Sequence, residues 1–213
     1  MLDRTTKTPC IKIMEDWHKG RKNYSVWLAK INSKELLELA DIITGELFQT
    51  VKIIKVNQPH ITIFVSGFVV DKKKYDDDVS LDSLSESISK LSKLKLDTSK
   101  LKVTGINYNE HVIYFSLDIL GDSISKLREV FSSVSREVIF NRYFPHITIG
   151  HYASNVPLSM ISSVLDKYKV LPLPIEVQVE EVECVWFDAL TPAMEGIGIC
   201  KGEFITIAKR SIG

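Results

Sequence analysis

The pentapeptide Pro-His-Ile-Thr-Ile occurs twice in this chain, at Pro59–Ile63 and at Pro145–Ile149, with the two histidines 86 residues apart. Two copies at that distance do not make a solenoid, whose repeats are shorter and more numerous. They do suggest a duplicated unit, and the flanking sequence agrees. A β-prone run, Tyr24–Ile31, precedes the first copy, and another, Val112–Ile119, precedes the second. Each run leads into a stretch of helical periodicity. In the first, Ser33 is placed to cap a helix whose apolar stripe is Leu36, Leu37, Ala40, Ile43 and Leu47. In the second, the stripe is Ile124, Leu127, Phe131, Val134 and Val138. From strand start to histidine the interval is 36 residues in one half and 34 in the other.

The correspondence continues past the motifs. Leu81, Leu84, Ile88 and Leu91 define one further helix, and Leu158, Ile161, Leu165 and Tyr168 define its counterpart. Strands follow at "LKVTGIN" and "IEVQVEEVECVWF", and "EFITIAK" adds a closing strand. The chain therefore reads as α+β, two β-α-β-α-β units in one domain over residues 1–213. The units are a lobe over 24–107 and a lobe over 110–213, after an N-terminal segment, 1–23. "DKKKYDDD", at Asp71–Asp78, reads as a solvated connection.

On a strand, alternate side chains point to opposite faces, so His60 and Thr62 share one face while Ile61 and Ile63 take the other. His146 and Thr148 are arranged in the same way. Each His lies roughly 6–7 Å along the strand from its Thr, a span suited to gripping different atoms of one small substrate. Duplicated packing explains repeated isoleucines but not repeated histidines and threonines. Two histidines without a third His, Cys or carboxylate at ligand spacing make a poor zinc site, and threonine does not improve it. Two imidazoles flanking a common centre suit in-line displacement at phosphorus. One takes a proton from the nucleophile, the other supplies one to the leaving oxygen, and both roles are open to imidazole near neutral pH. The threonine hydroxyls would hold the non-bridging oxygens. No metal or other cofactor enters this scheme.

Composition narrows the partners. The chain has 27 basic and 27 acidic side chains. That balance argues against long duplex DNA or an anionic membrane as the partner, while leaving room for a short or terminal nucleic acid. Cys10, Cys184 and Cys200 have no metal-site spacing, and their odd number points to a reducing compartment. With no signal-peptide core or membrane span in the sequence, the expectation is a cytoplasmic protein acting as a monomer.

The paired "HITI" segments, His60–Ile63 and His146–Ile149, resemble the 2H (two-histidine) phosphoesterase superfamily, which includes LigT-like RNA 2′,3′-cyclic phosphodiesterases, once described as 2′-5′ RNA ligases. The resemblance extends from about Tyr24 to the C-terminus. It implies antiparallel sheets lining a central cleft, with His60 and His146 as the acid/base pair and Thr62 and Thr148 on the phosphate. By family analogy His60 is the acid and His146 the base. The implied substrates are 2′,3′-cyclic phosphates on RNA ends or nucleotides. A 2′,5′-oligoadenylate phosphodiesterase and an AMP-binding sensor remain alternatives on the same cleft. The chain departs from many LigT-like members in lacking a cation a few positions after either motif. If strand parity survives Gly150, Tyr152 faces the site in that place and His151 faces away. Parity likewise puts Phe64 on the site face, able to stack on a base. Before the first strand, "WHKGRKNY" offers Arg21 and Tyr24 as substrate contacts. His111 reads as an exposed turn residue, and Trp27 and Trp186 as core or cleft-wall rings.

Overall fold

The computed structural model describes residues 4–96, 99–138, 142–170, 174–194, 197–200 and 204–212. Five α-helices and twelve strands are found there. The first half runs α1 (Ile11–His18), β1 (Asn23–Lys30), α2 (Lys34–Phe48), β2 (Ile53–Lys55), β3 (His60–Val69), β4 (Asp78–Val79), α3 (Leu81–Lys93) and β5 (Ser99–Tyr108). The second runs β6 (Val112–Leu120), α4 (Ser123–Ser132), β7 (His146–Tyr152), α5 (Leu158–Leu165), β8 (Ile175–Val179), β9 (Glu181–Asp188), β10 (Pro192–Met194), β11 (Ile197–Cys200) and β12 (Ile205–Ser211).

Ten strands form one curled sheet in the order β12-β9-β1-β3-β7-β6-β5-β8, with β2 on β7 and β4 on β3. All pairings are antiparallel except that of β4 with β3. The two motif strands, β3 and β7, lie side by side at the centre. The halves also exchange strands. β5, from the first half, pairs with β6 and β8, while β9, from the second, pairs with β1. The run read from sequence as a single strand, "IEVQVEEVECVWF", is therefore two: it breaks at Glu180 and passes from β8, at one end of the sheet order, to β9, next to the last strand at the other.

Helices α2 to α5 cover one face of this sheet. Ser33 caps α2 by accepting from the Leu36 N–H at 3.3 Å, and Leu36, Ala40, Ile43 and Leu47 are buried as their spacing requires. Ile124, Leu127 and Phe131 of α4 are buried too, though the helix ends at Ser132, before Val134 and Val138. Trp27 is fully buried and stacks on Phe131 at 4.2 Å. Leu81, assigned to the apolar stripe of α3, is half exposed at the helix start. None of the described helices is long and apolar enough to cross a membrane.

The opposite face carries a smaller apolar cluster, Tyr24, Val26, Leu28, Phe68, Val185 and Ala189, against which Trp17 and Phe204 pack. The acidic end of "DKKKYDDD" is structural. Asp77 receives the Phe68 N–H at 2.8 Å on its backbone carbonyl, and Asp78 starts β4. Gly67 is needed here, because its φ is +103° and a Cβ would collide with that Asp77 carbonyl.

Candidate active site

β3 and β7 pair through Ile61 and Ile147, both buried on the helix side. Antiparallel register then places the residue before each isoleucine across from the residue after the other. His60 faces Thr148, and His146 faces Thr62. Each histidine has the other motif's threonine as its cross-strand neighbour, and the histidines stand diagonally, at about 7–8 Å between backbones. The flanking strands extend the pattern into two rows on the open face. One is Lys30, His60, Thr148 and Tyr114; the other is Leu28, Thr62, His146 and Ser116.

Both imidazoles are oriented by the same device. His60 Nδ1–H donates to the Gln58 carbonyl at 2.8 Å, and His146 Nδ1–H donates to the Phe144 carbonyl at 2.8 Å. A carbonyl can only accept, so Nδ1 carries the proton and Nε2 is left for the groove in both rings. In the neutral ring that Nε2 is a base; in the charged ring it is a donor. Burial pushes His60 below the usual imidazole range; the Gln58 carbonyl opposes the shift and His146 adds to it. Phe204 meets the His60 ring edge-on at 5.1 Å. Tyr114 and Phe144 border His146 at 5.4 and 5.8 Å.

Two β-bulges revise the parity expectation downstream of both motifs. On β3, Phe64 pairs with Trp27 but Thr62 with Leu28, so Ile63 is an extra residue. Ile63 and Phe64 consequently both turn toward the helices, and Phe64 is fully buried at 5.7 Å from Phe131, away from any base. On β7, Gly150 pairs with Ile113 but Thr148 with Tyr114, which makes Ile149 the extra residue. Parity does not survive Gly150. Tyr152 is fully buried in the main core, and His151 takes the groove face. Burial pushes His151 down to about 4, with repulsion from His60, His111 and His146 adding to it. His151, rather than Tyr152, thus lies on the groove face after the second motif, held neutral by its burial.

Arg21 and Tyr24 are structural as well. The Arg21 guanidinium reaches Asp77 at 2.6 and 3.1 Å, Asp78 at 2.5 Å, and the carbonyls of Trp17 and His18 at 2.8 and 2.9 Å, which engages all five of its donors. Its faces lie on Phe68 and Tyr75. Tyr24 is buried among Trp17, Phe68 and Phe187. His111 is exposed in its turn, as expected, its N–H on the Asn109 side chain at 2.7 Å.

The first motif is braced from behind. Arg128 of α4 donates to the Ile63 carbonyl at 2.5 Å while forming a two-pronged pair with Glu137 at 2.9 and 2.5 Å. Tyr143 O–H donates to the Thr62 carbonyl at 3.0 Å, and its ring lies under the Arg128 guanidinium. Among the described residues no group of three or more His, Cys, Asp or Glu is arranged to hold a metal ion.

Solved structures with this fold include LigT of E. coli in its apo form, at 11% identity and a TM-score of 0.58, covering 91% of this chain and 99% of that one. The same E. coli protein complexed with 3′-AMP matches at 11% identity and 0.54, over 91% and 99%. A conserved protein of unknown function from Agrobacterium tumefaciens matches at 15% and 0.55, over 88% and 85%. No curated protein matches the chain in sequence. The family itself is settled by the match of residues 46–190 to the 2′-5′ RNA ligase superfamily. This chain belongs to that superfamily, and so to the two-histidine phosphoesterases.

Proposed function

We propose that the protein is a metal-independent phosphodiesterase that opens 2′,3′-cyclic phosphates on RNA ends or nucleotides. The observation that carries this reading is the shared orientation of two imidazoles, each with Nδ1 fixed by a carbonyl and Nε2 free, diagonal to one another on adjacent strands. A phosphate between them meets Thr62 and Thr148 on the same face. Water attacks phosphorus from one flank, giving its proton to one Nε2. A ring P–O bond breaks on the opposite flank, and that oxygen takes a proton from the other Nε2–H. Atoms and charge balance, leaving a phosphomonoester and a free hydroxyl. Burial, by favouring the neutral form of His60, suits it to the base role and leaves His146 as the acid, the reverse of the assignment by family analogy.

The test is incubation with nucleoside 2′,3′-cyclic phosphates in the presence of EDTA, with product resolved by chromatography. Formation of a single nucleoside monophosphate, lost in His60→Ala and in His146→Ala, is the expected result. Absence of turnover across cyclic and 2′,5′-linked substrates would remove the reading. Tight AMP binding with no hydrolysis would favour a sensor instead.

A further inference from the structure

Resting on the phosphodiesterase reading, we infer that Phe144 is a base-stacking residue, and that the substrate carries an unpaired nucleobase on the His146 side of the scissile phosphate. Phe144 directly precedes Pro145 and is placed outside the strand, yet it is not a loose loop residue. Its carbonyl is tied to His146 Nδ1 at 2.8 Å, and a residue before proline is held to extended backbone. One face of its ring lies nearly parallel to the His146 imidazole, at 20°. Tyr114, from the neighbouring strand, meets it edge-on at 5.6 Å and 84°. Even so, Phe144 keeps 54% of its surface in solvent. A large apolar ring, rigidly mounted and open beside a phosphate-binding pair, is what a planar heterocycle needs for stacking without ordering cost.

Among the described residues the His60 side lacks such a platform. Phe204 presents its ring at 85° to His60 and is packed against the Tyr24–Phe68 cluster and Phe187. Gln58, whose carbonyl does for His60 what the Phe144 carbonyl does for His146, has no ring to offer. The two-fold relation that holds for the histidines and threonines therefore fails at this position, and the failure gives the groove a direction. Stacking on a ring is tolerant of base identity, since every base has a π face. The site should accept all four bases, with purines above pyrimidines, and discriminate against a substrate with no base.

The experiment compares wild type, Phe144→Ala and Phe144→Trp on two substrates. One is adenosine 2′,3′-cyclic phosphate, and the other is methyl riboside 2′,3′-cyclic phosphate, which lacks the base. In wild type the adenosine substrate should be favoured in kcat/KM by about ten- to hundredfold, through KM. Phe144→Ala should collapse that ratio toward one, and Phe144→Trp should keep it. A ratio unchanged in Phe144→Ala, or already near one in wild type, overturns the inference. If wild type hydrolyses neither substrate, the phosphodiesterase reading has failed separately. The same three proteins are then titrated with 2′-AMP by calorimetry: weaker binding in Phe144→Ala alone supports stacking, while equal binding or none in all three overturns it.

Discussion

His60 stands directly across the β3–β7 strand pair from Thr148, so each cross-strand His–Thr pair is built from both copies of the motif. A groove residue therefore senses the opposite copy before its own. Removing the Thr148 hydroxyl (Thr148→Val) should shift the ring proton resonances of His60 more than those of His146, and Thr62→Val should do the reverse. Histidine ring NMR at a single pH reads both. Equal effects on the two rings from either variant would contradict the cross-strand arrangement.

His60→Ala and His146→Ala should each lower kcat by about 10²–10⁴ on a cyclic nucleotide, the range for loss of one general acid or base. Both rings are half-buried on the open face rather than in the core. The variants should keep wild-type circular dichroism and melt near the wild-type temperature. A large loss of thermal stability would mean that the histidines are structural.

His151 makes stability depend on pH. An unfolded imidazole binds its proton near 6.5, whereas in the folded protein burial delays this to about 4. The unfolded state thus holds more protons between these values, and folding stability falls as the pH drops through that window. The contribution is complete above pH 6.5 and amounts to at most about 3 kcal/mol. His60 acts in the same sense. Urea midpoints measured at pH 7.5 and 4.5 should differ less in His151→Asn than in wild type. An unchanged difference would show that other groups carry it.

The brace behind the first motif predicts two graded losses. Tyr143→Phe strips the Thr62 carbonyl of its donor and should cost about 1 kcal/mol. Arg128→Ala strands the largely buried Glu137 carboxylate, 9% exposed in its side chain, and should cost about 3–5 kcal/mol. Urea denaturation separates the two, and equal losses would show that Glu137 finds another partner.

Arg21 should behave as a stability residue only. Arg21→Ala leaves the Asp78 carboxylate, 1% exposed, without its counter-ion and should destabilise the fold by about 3–5 kcal/mol. KM at a temperature where the variant is folded should match wild type. A raised KM with unchanged stability would restore Arg21 to the substrate.

Much of the architecture is legible in the chain itself. The repeated strand–helix–PHITI order anticipates the duplicated units, and 3.6-residue spacing anticipates which faces of α2 and α4 are buried. The motif parity of His60, Thr62, His146 and Thr148 follows from period two alone. That rule fails at Ile63 and Ile149, where one extra residue turns the strand over, hiding Phe64 and Tyr152 and bringing His151 to the groove face. A bulge is set by the register of partner strands dozens of residues away, so no local pattern announces it. The Gly150 in "ITIGHY" is the nearest signal, since a Cβ there would press on the Ile53 side chain at 2.6 Å where β2 crosses. Arg21 was misleading for a related reason: the carboxylates that occupy it, Asp77 and Asp78, lie more than fifty residues downstream.

Because β5 is handed to the later half of the chain and β9 to the earlier one, neither half owns a finished set of neighbours. A chain severed at the Tyr108–Val112 turn would yield two incomplete pieces, each with a raw sheet margin that only its counterpart can fill.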